Sequence, residues 1–341
     1  MKWNKRTKET CLKFLWSENV VGAGLGYKEK KGVRMSDSAL VFMVKKKLPE
    51  DKLTPMELIP ETVDEMITDV IEVGELTFFN RTGKMRPAKP GISIGHINTS
   101  AGTFGALVQD LKSNKKYILS NNHVLANLTD GRDGRASIGD PVLQPGRYDG
   151  GTGQDVLGHL YKFVPLYREL EQPYCPVAVN FKKTGQYFLS AVKSNYKLEL
   201  YKITNIKNTV DAALAEPAAD NMVHPEILEV GVPMGTVQAE PGMNVLKSGR
   251  TTGLTRGVVT VIEATLRIGV GEGSSVILSE QIVCSAMGAP GDSGSLILDE
   301  RMQTVGLLCA GSNQVTVANK ISNVLSMLDV NLVTQSTLEK E

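Results

Sequence analysis

Three short segments of the chain combine a reactive side chain with the backbone setting that its chemistry needs. In GAPGDSGSLIL, residues 288–298, Ser293 stands between Gly291 and Gly294, just before an apolar run. Glycines let the backbone turn sharply enough for the amides of Gly291 and Ser293 to converge near the serine oxygen, where two such donors would hold an oxyanion. The same GDSG would also serve as a plain hairpin turn. In YILSNNHVL, residues 117–125, His123 follows an apolar run and sits among asparagines. A neutral imidazole at a strand end is a suitable general base near neutral pH. In NTVDAALAEP, residues 208–217, Asp211 is embedded in Val210, Ala212, Ala213 and Leu214. A carboxylate among apolar neighbours is costly unless paired or hydrogen-bonded, so a dedicated partner is expected, an imidazole N–H being one candidate. A helix N-cap is the other reading of Asp211. Asp149 and Asp155, in YDGGTGQDV, rival it for the acidic role but lack the apolar setting, and His96, His159 and His224 read as surface or hydrogen-bonding residues.

The elements that must position these residues are short and β-rich. GISIGHI, GTFGALVQD, KKYILSNNHV, NVLKSGRTTGLTRGVVTVI, SSVILSEQIV, GSLILDE and TVGLLCAG follow one another with Gly-rich turns, the pattern of an antiparallel sandwich or barrel. KSGRTTGLTRG predicts a hairpin, with Arg250 and Thr252 in a structural turn or, as the alternative, facing the cleft. Upstream, VVGAGLGYKEK (20–30) and ALVFMVKK (39–46) predict a hairpin turning at Lys31 and Gly32. Gly22, Gly24 and Gly26 do not make a phosphate loop, because YKEKKG follows where a helix would be needed. Leu12, Leu15 and Trp16, at i, i+3 and i+4, predict a short amphipathic helix docked on its own domain. RTGKMRPAKPG, residues 81–91, reads as a linker, leaving residues 1–80 as a small α+β domain. Residues 161–201 show no period and read as an irregular insertion.

Composition narrows the function classes. With 341 residues, 38 Lys+Arg against 37 Asp+Glu, 41% hydrophobic residues and 33 Gly, the chain is an ordinary globular protein of two-domain length. A net charge of +1 with mixed signs gives no footprint for nucleic acid. No apolar run reaches the roughly 18–20 residues of a membrane span, and the basic start lacks the continuous apolar stretch of a secretory signal. Cys11, Cys175, Cys284 and Cys309 are scattered without CxxC spacing, so neither a metal site nor a disulfide framework is indicated and an intracellular, cytoplasmic setting is expected.

His123, Asp211 and Ser293 occur in that order in a β-rich chain, which resembles the chymotrypsin-like and trypsin-like serine proteases. The resemblance covers roughly residues 90–335 and rests on NNHV, VDAALA, GDSGS and GLLCAG. VVGAGLGYKEKKG, RPAKPGISIGH, LSNNHVLAN, LQPGRYDGG and KSGRTTGLT extend it to the trypsin-like proteases that carry an extra amino-terminal domain, a group with bacterial members and the plant narrow-leaf protein. It implies a mainly β fold, a double six-stranded antiparallel β-barrel (about 92–217 and 228–335 within a protease domain 92–341) after a small α+β domain. It implies a catalytic His123, Asp211 and Ser293, an oxyanion hole of Gly291 and Ser293, and no cofactor or metal. The position six before the nucleophile, Met287, would floor the primary specificity pocket, with Cys309, Ala310 and Gly311 as one wall. The implied partner is a polypeptide substrate, not nucleic acid or membrane, and residues 1–80 would serve assembly as a homo-oligomer, substrate capture or control of access. Val124 stands where secreted trypsins carry cysteine, and no Ile-Val-Gly-Gly terminus is present. A protease-like scaffold with weak or latent hydrolase or esterase activity is the alternative implied by the same residues.

Overall fold

The computed structural model describes residues 5–30, 33–55, 57–74, 76, 80–171, 173–204, 206–271 and 273–339. The chain divides into two compact units, residues 1–79 and 80–341. In the first, helix α1 (Lys5–Phe14) precedes strands β1 (Val20–Lys30), β2 (Val33–Val44), β3 (Thr62–Val63) and β4 (Met66–Glu72), joined in the order β1-β2-β4-β3. β1 and β2 form the expected antiparallel hairpin; its turn at Lys31 and Gly32 lies outside the described residues. The helix docks differently from its sequence expectation. Thr7, Cys11 and Phe14, spaced i, i+4 and i+7, turn inward, whereas Leu12 and Leu15 are exposed and Trp16 is 90% exposed. A ten-residue helix offers two overlapping stripes, and the sheet beneath it selects one.

The second unit is mainly β. Its first barrel uses β5 (Ser93–His96), β6 (Gly102–Thr103), β7 (Ala106–Asp110), β8 (Lys116–Ser120), helix α2 (Asn122–Leu125), β9 (Pro141–Leu143) and β10 (Val156–Phe163). A small ribbon of β11 (Leu170–Glu171) and β12 (Lys202–Ile203) brackets helix α3 (Pro176–Val192), after which β13 (Ala213–Pro217) returns to the barrel. The second barrel follows with β14 (Gly235–Thr236), β15 (Asn244–Gly249), β16 (Gly253–Gly271), β17 (Ser274–Ser285), β18 (Leu296–Asp299), β19 (Gln303–Gly311) and β20 (Val315–Lys320). Helix α4 (Ile321–Leu328) then leads to β21 (Val330–Leu332), which pairs with β7 and so carries the chain back onto the first sheet. The sheet orders are β21-β7-β8-β13-β10-β9-β5-β6 and β14-β19-β18-β15-β16-β17-β20, and the pairing of β19 with β20 closes the second ring. In the first, Gly91 N–H to Phe104 O (2.7 Å) and Phe104 N–H to Ile92 O (2.9 Å) draw the curled sheet together. The fold is mainly β, a double β-barrel.

The apolar runs follow from burial on both faces. Side chains alternate across a strand, so Ile118, Ala213 and Ala215 enter the core of the first barrel while Tyr117, Leu119 and Leu214 face the layer between the barrels. Leu296 and Leu298 meet them there from β18, and Ile297 points into the second barrel. Such strands read as continuous hydrophobic runs without visible period.

Two expectations are corrected. Residues 81–91 belong to the second unit and are packed: Ala88 is fully buried, its N–H reaching Met222 O at 2.7 Å. Arg81 pairs with Glu229, Lys84 with Asp155 and Lys89 with Glu226. Their partners are far along the chain, which no local window can show. The segment around residues 161–201 contains the 17-residue α3, started by Pro176 after the Cys175 cap. Phe181, Phe188 and Val192 are exposed on it, so it lacks the clear apolar-in, polar-out stripe by which helices are read.

Candidate active site

Register brings His123 and Asp211 together. β8 and β13 pair antiparallel with Ser120 opposite Ala213, so the residues just past the end of β8 and just before the start of β13 emerge at the same edge. The His123 Nδ1 lies 2.5 Å from Asp211 Oδ2, and the His123 backbone N–H donates to Asp211 Oδ1 at 3.2 Å. Asn121 Nδ2 donates to Asp211 O (2.7 Å), and Asn122 Nδ2 to Thr129 O and Val164 O (3.0 and 2.7 Å). Both asparagines bond to backbone carbonyls far along the chain, and Asn121 holds the peptide of Asp211 itself. Asn319, which the sequence did not single out, completes that grip: its Oδ1 accepts from Asp211 N–H (2.9 Å) and its Nδ2 donates to Asp211 O (3.2 Å). Only the pairing of β20 with β19 and β17 carries Asn319 there, so no local pattern announces it.

Electrostatics at the imidazole run in two directions. Burial disfavours the imidazolium, but the Asp211 charge and hydrogen bond outweigh it, raising the His123 pKa above its ordinary value. Asp211 is 4% exposed. With Nδ1 committed to the carboxylate, Nε2 is the nitrogen left to exchange a proton.

Ser293 stands in the loop between β17 and β18. Thr103 N–H donates to Ser293 O at 2.7 Å, fixing the loop against the first barrel. The approach is close enough to require the second glycine of GDSG: at Gly294, with φ +94°, a Cβ would fall 2.1 Å from Ser120 Oγ and 2.3 Å from Thr103 O. A Cβ on Gly102 would lie 2.4 Å from Val124, the neighbour of His123, and 3.0 Å from Ser293 O. The two segments therefore meet over one glycine. The Ser293 hydroxyl donates to Cys309 O at 3.4 Å, and among the described residues it has no hydrogen bond to His123. Among those residues too, the backbone N–H groups of Gly291 and Ser293 donate to no protein acceptor.

A cavity of about 260 Å³ opens beside Ser293, lined in part by Ala289, Pro290, Ala310, Gly311, Asn313 and Thr316. Among the described residues no charged side chain lines it. Ala310 and Gly311 are in this wall. Met287 and Cys309 are not: Met287 is buried in the core of the second barrel, its N–H bound to Thr316 Oγ1 (3.0 Å) and its carbonyl taking Thr255 Oγ1 (2.6 Å). Cys309 presents its carbonyl to Ser293, while its thiol turns inward toward Gln281 Oε1 and Val317 O (3.9 and 3.6 Å). Burial first, and then the Asp211 charge, push that thiol well above its ordinary pKa. His96, by contrast, is a fully buried structural residue, with Nε2 3.0 Å from Asp140 and Nδ1 accepting from Asn98 N–H (3.1 Å).

No protein-family profile matches this chain, and no curated protein matches it in sequence. Solved structures do. Protease A of Thermobifida fusca is 17% identical, with 72% of this chain and 100% of that chain covered and a TM-score of 0.45. A glutamic-acid-specific serine protease that uses a histidine triad in substrate binding is 16% identical, with 72% and 100% covered and a TM-score of 0.46. Chymotrypsin of Cellulomonas bogoriensis is 15% identical, with 73% and 100% covered and a TM-score of 0.43. The solved structures that this chain resembles are serine proteases.

Proposed function

We propose that the chain is a serine endopeptidase that cleaves polypeptides through an acyl-enzyme. The observation that carries this reading is the His123–Asp211 pair at 2.5 Å, packed over Gly102 against the Ser293 loop, with the Gly291 and Ser293 amides donating to no acceptor among the described residues. In this reading the Ser293 hydroxyl, which bonds Cys309 O, turns to the imidazole nitrogen that Asp211 leaves free. Ser293 Oγ then attacks the peptide carbonyl as His123 takes its proton, and the same proton passes to the leaving amine. Asp211 holds the tautomer with N–H at Nδ1 and stabilises the imidazolium. The amides of Gly291 and Ser293 receive the oxyanion. Water repeats the sequence to release the acid. Four unpaired cysteines, three of them buried, support work in a reducing compartment.

The second reading, a scaffold with latent hydrolase or esterase activity, draws on the Ser293 hydroxyl being turned to Cys309 O. One experiment separates them: labelling of the purified chain by a fluorophosphonate, with Ser293→Ala as control, followed by peptide hydrolysis. Labelling with turnover supports the peptidase, labelling without turnover the latent form, and no labelling overturns both.

A further inference from the structure

Helix α3 wears its apolar side outward. At 3.6 residues per turn, Val177, Phe181, Phe188 and Val192 fall on one stripe about 60° wide. All four are exposed, from 65% at Phe188 to 80% at Val192, and Tyr187 on the flank of the stripe is exposed too. None of the 17 residues of α3 is buried. The side turned to residues 196–199 is held by polar contacts: Gln186 Oε1 accepts from Leu198 N–H (2.6 Å), its Nε2 donates to Tyr196 O (3.1 Å), and Lys182 pairs with Glu199. Gly185 allows that approach, since a Cβ there would fall 2.7 Å from the Leu198 side chain. These bonds fix the roll of the helix, so the stripe is held toward solvent by the fold itself.

Charge gathers around the same stripe. Residues 172–207 hold six lysines and one glutamate, which leaves the rest of the chain 32 of the 38 basic and 36 of the 37 acidic residues. A chain close to neutral as a whole thus concentrates its positive surplus in one segment. Lys182 and Lys183 stand on either side of the stripe, and Lys193 directly follows Val192. On the return segment the Lys202 ammonium lies 5.5 Å from the ring centre of Tyr174, whose ring is also exposed.

An apolar stripe bearing Phe, with Tyr and Lys at its edges, suits the boundary between water and anionic lipid. The rings enter among the headgroups while the ammonium groups meet the lipid's negative charge. A second copy of the chain on the same stripe would instead bring two positive surfaces together. Among the described residues no helix is long and apolar enough to cross a membrane, but lying on one needs only the stripe. None of the motifs that carry the protease resemblance falls in residues 172–207, so the absence of a membrane partner that it implies does not reach this segment.

We propose that the exposed face of α3 docks on an anionic lipid surface and holds the barrel unit there without spanning the bilayer. The assignment stands independently of catalysis by Ser293.

The test is flotation of the full chain with vesicles of phosphatidylcholine alone, or with about a third of the lipid replaced by phosphatidylserine. The wild type is expected to float with the phosphatidylserine vesicles and not with the neutral ones, and to be released as salt rises from about 0.1 to about 1 M. Phe181→Ser with Phe188→Ser is expected to weaken binding about 10²-fold. Lys183→Gln with Lys193→Gln is expected to weaken it about 25-fold, roughly fivefold for each charge. Melting midpoints should stay near the wild-type value in both variants, because all four side chains face solvent. A wild type that does not float with the anionic vesicles, or floats equally with the neutral ones, overturns the assignment. So does binding that survives unchanged in either folded variant, as it would if the exposed Trp16 of α1 carried it. Self-association abolished by Phe181→Ser with Phe188→Ser, without vesicle binding by the wild type, overturns it in favour of a second copy of the chain.

Discussion

Asp211 grips His123 at two points, its Oδ2 at the ring Nδ1 and its Oδ1 at the backbone N–H of the same residue. The carboxylate thereby fixes where the imidazole stands as well as which nitrogen carries the proton. Its charge is also the reason that His123 titrates above its ordinary value despite burial.

A pH profile reads this directly. A general base must be neutral, so activity should rise with pH through a midpoint above about 6.5, the ordinary histidine value, and stay high on the alkaline side. In Asp211→Asn burial remains and the charge is gone, so the midpoint should drop below that value while the rate falls by about 10⁴. Stability has the opposite sign. A raised folded pKa adds stability that is fully present below the unfolded value and is lost as pH rises through the folded one. Thermal melting against pH should therefore show the His123 contribution fading where activity appears. A limb with its midpoint below 6.5 in the wild type would contradict the pairing.

Ser293→Ala and His123→Ala should each lower hydrolysis by about 4 to 6 powers of ten, and the double variant should be little worse than either. The members act as one unit, so losing one removes the route. Multiplicative losses in single-turnover kinetics would rule this out.

The described residues that line the cavity beside Ser293 are all uncharged, and it holds about 260 Å³ of space. An unpartnered lysine ammonium buried there would cost several kcal/mol, more than the roughly 1 to 3 kcal/mol that separates similar apolar side chains. Cleavage should follow medium, uncharged residues such as Leu, Met or Phe. Asn313→Asp should raise cleavage after Lys or Arg relative to Leu by up to about fivefold, the worth of a partly exposed ion pair. Peptide-library profiling checks both, and wild-type cleavage concentrated after Lys or Arg would show a charge reaching the cavity from elsewhere.

Truncation should respect the boundary at residue 80. A chain beginning at Asn80 keeps Arg81, Lys84, Lys89 and the buried Ala88 with their partners in the barrel unit, and should label at Ser293 like the full chain. One beginning at Pro90 loses all four and should melt lower. We propose that residues 1–79 serve assembly, substrate capture or access to the site. Loss of labelling in a folded chain that starts at Asn80 would instead make that unit part of the catalytic site.

The candidate residues were readable without coordinates because their cues are local. A serine between two glycines, a histidine ending an apolar run and an aspartate inside one each carry a backbone requirement within a few residues, and their order along the chain is what the resemblance rested on. The strand runs were equally plain, since burial on both faces demands apolar residues throughout, as at Tyr117, Ile118 and Leu119. Counting six residues back from Ser293 to a pocket floor failed at Met287, because the length and path of a loop decide which side chains line a cavity. Only closure of the barrels placed Met287 in the core, set Asn319 against the peptide of Asp211, matched the basic residues of 81–91 to distant acids, and sealed Lys247 onto Asp292. Residue types and spacing thus determined the class of element and which side chains are candidates for a site. Register between strands far apart in sequence decided which groups meet, since burial and pairing energies depend on the neighbours that the closed barrels supply.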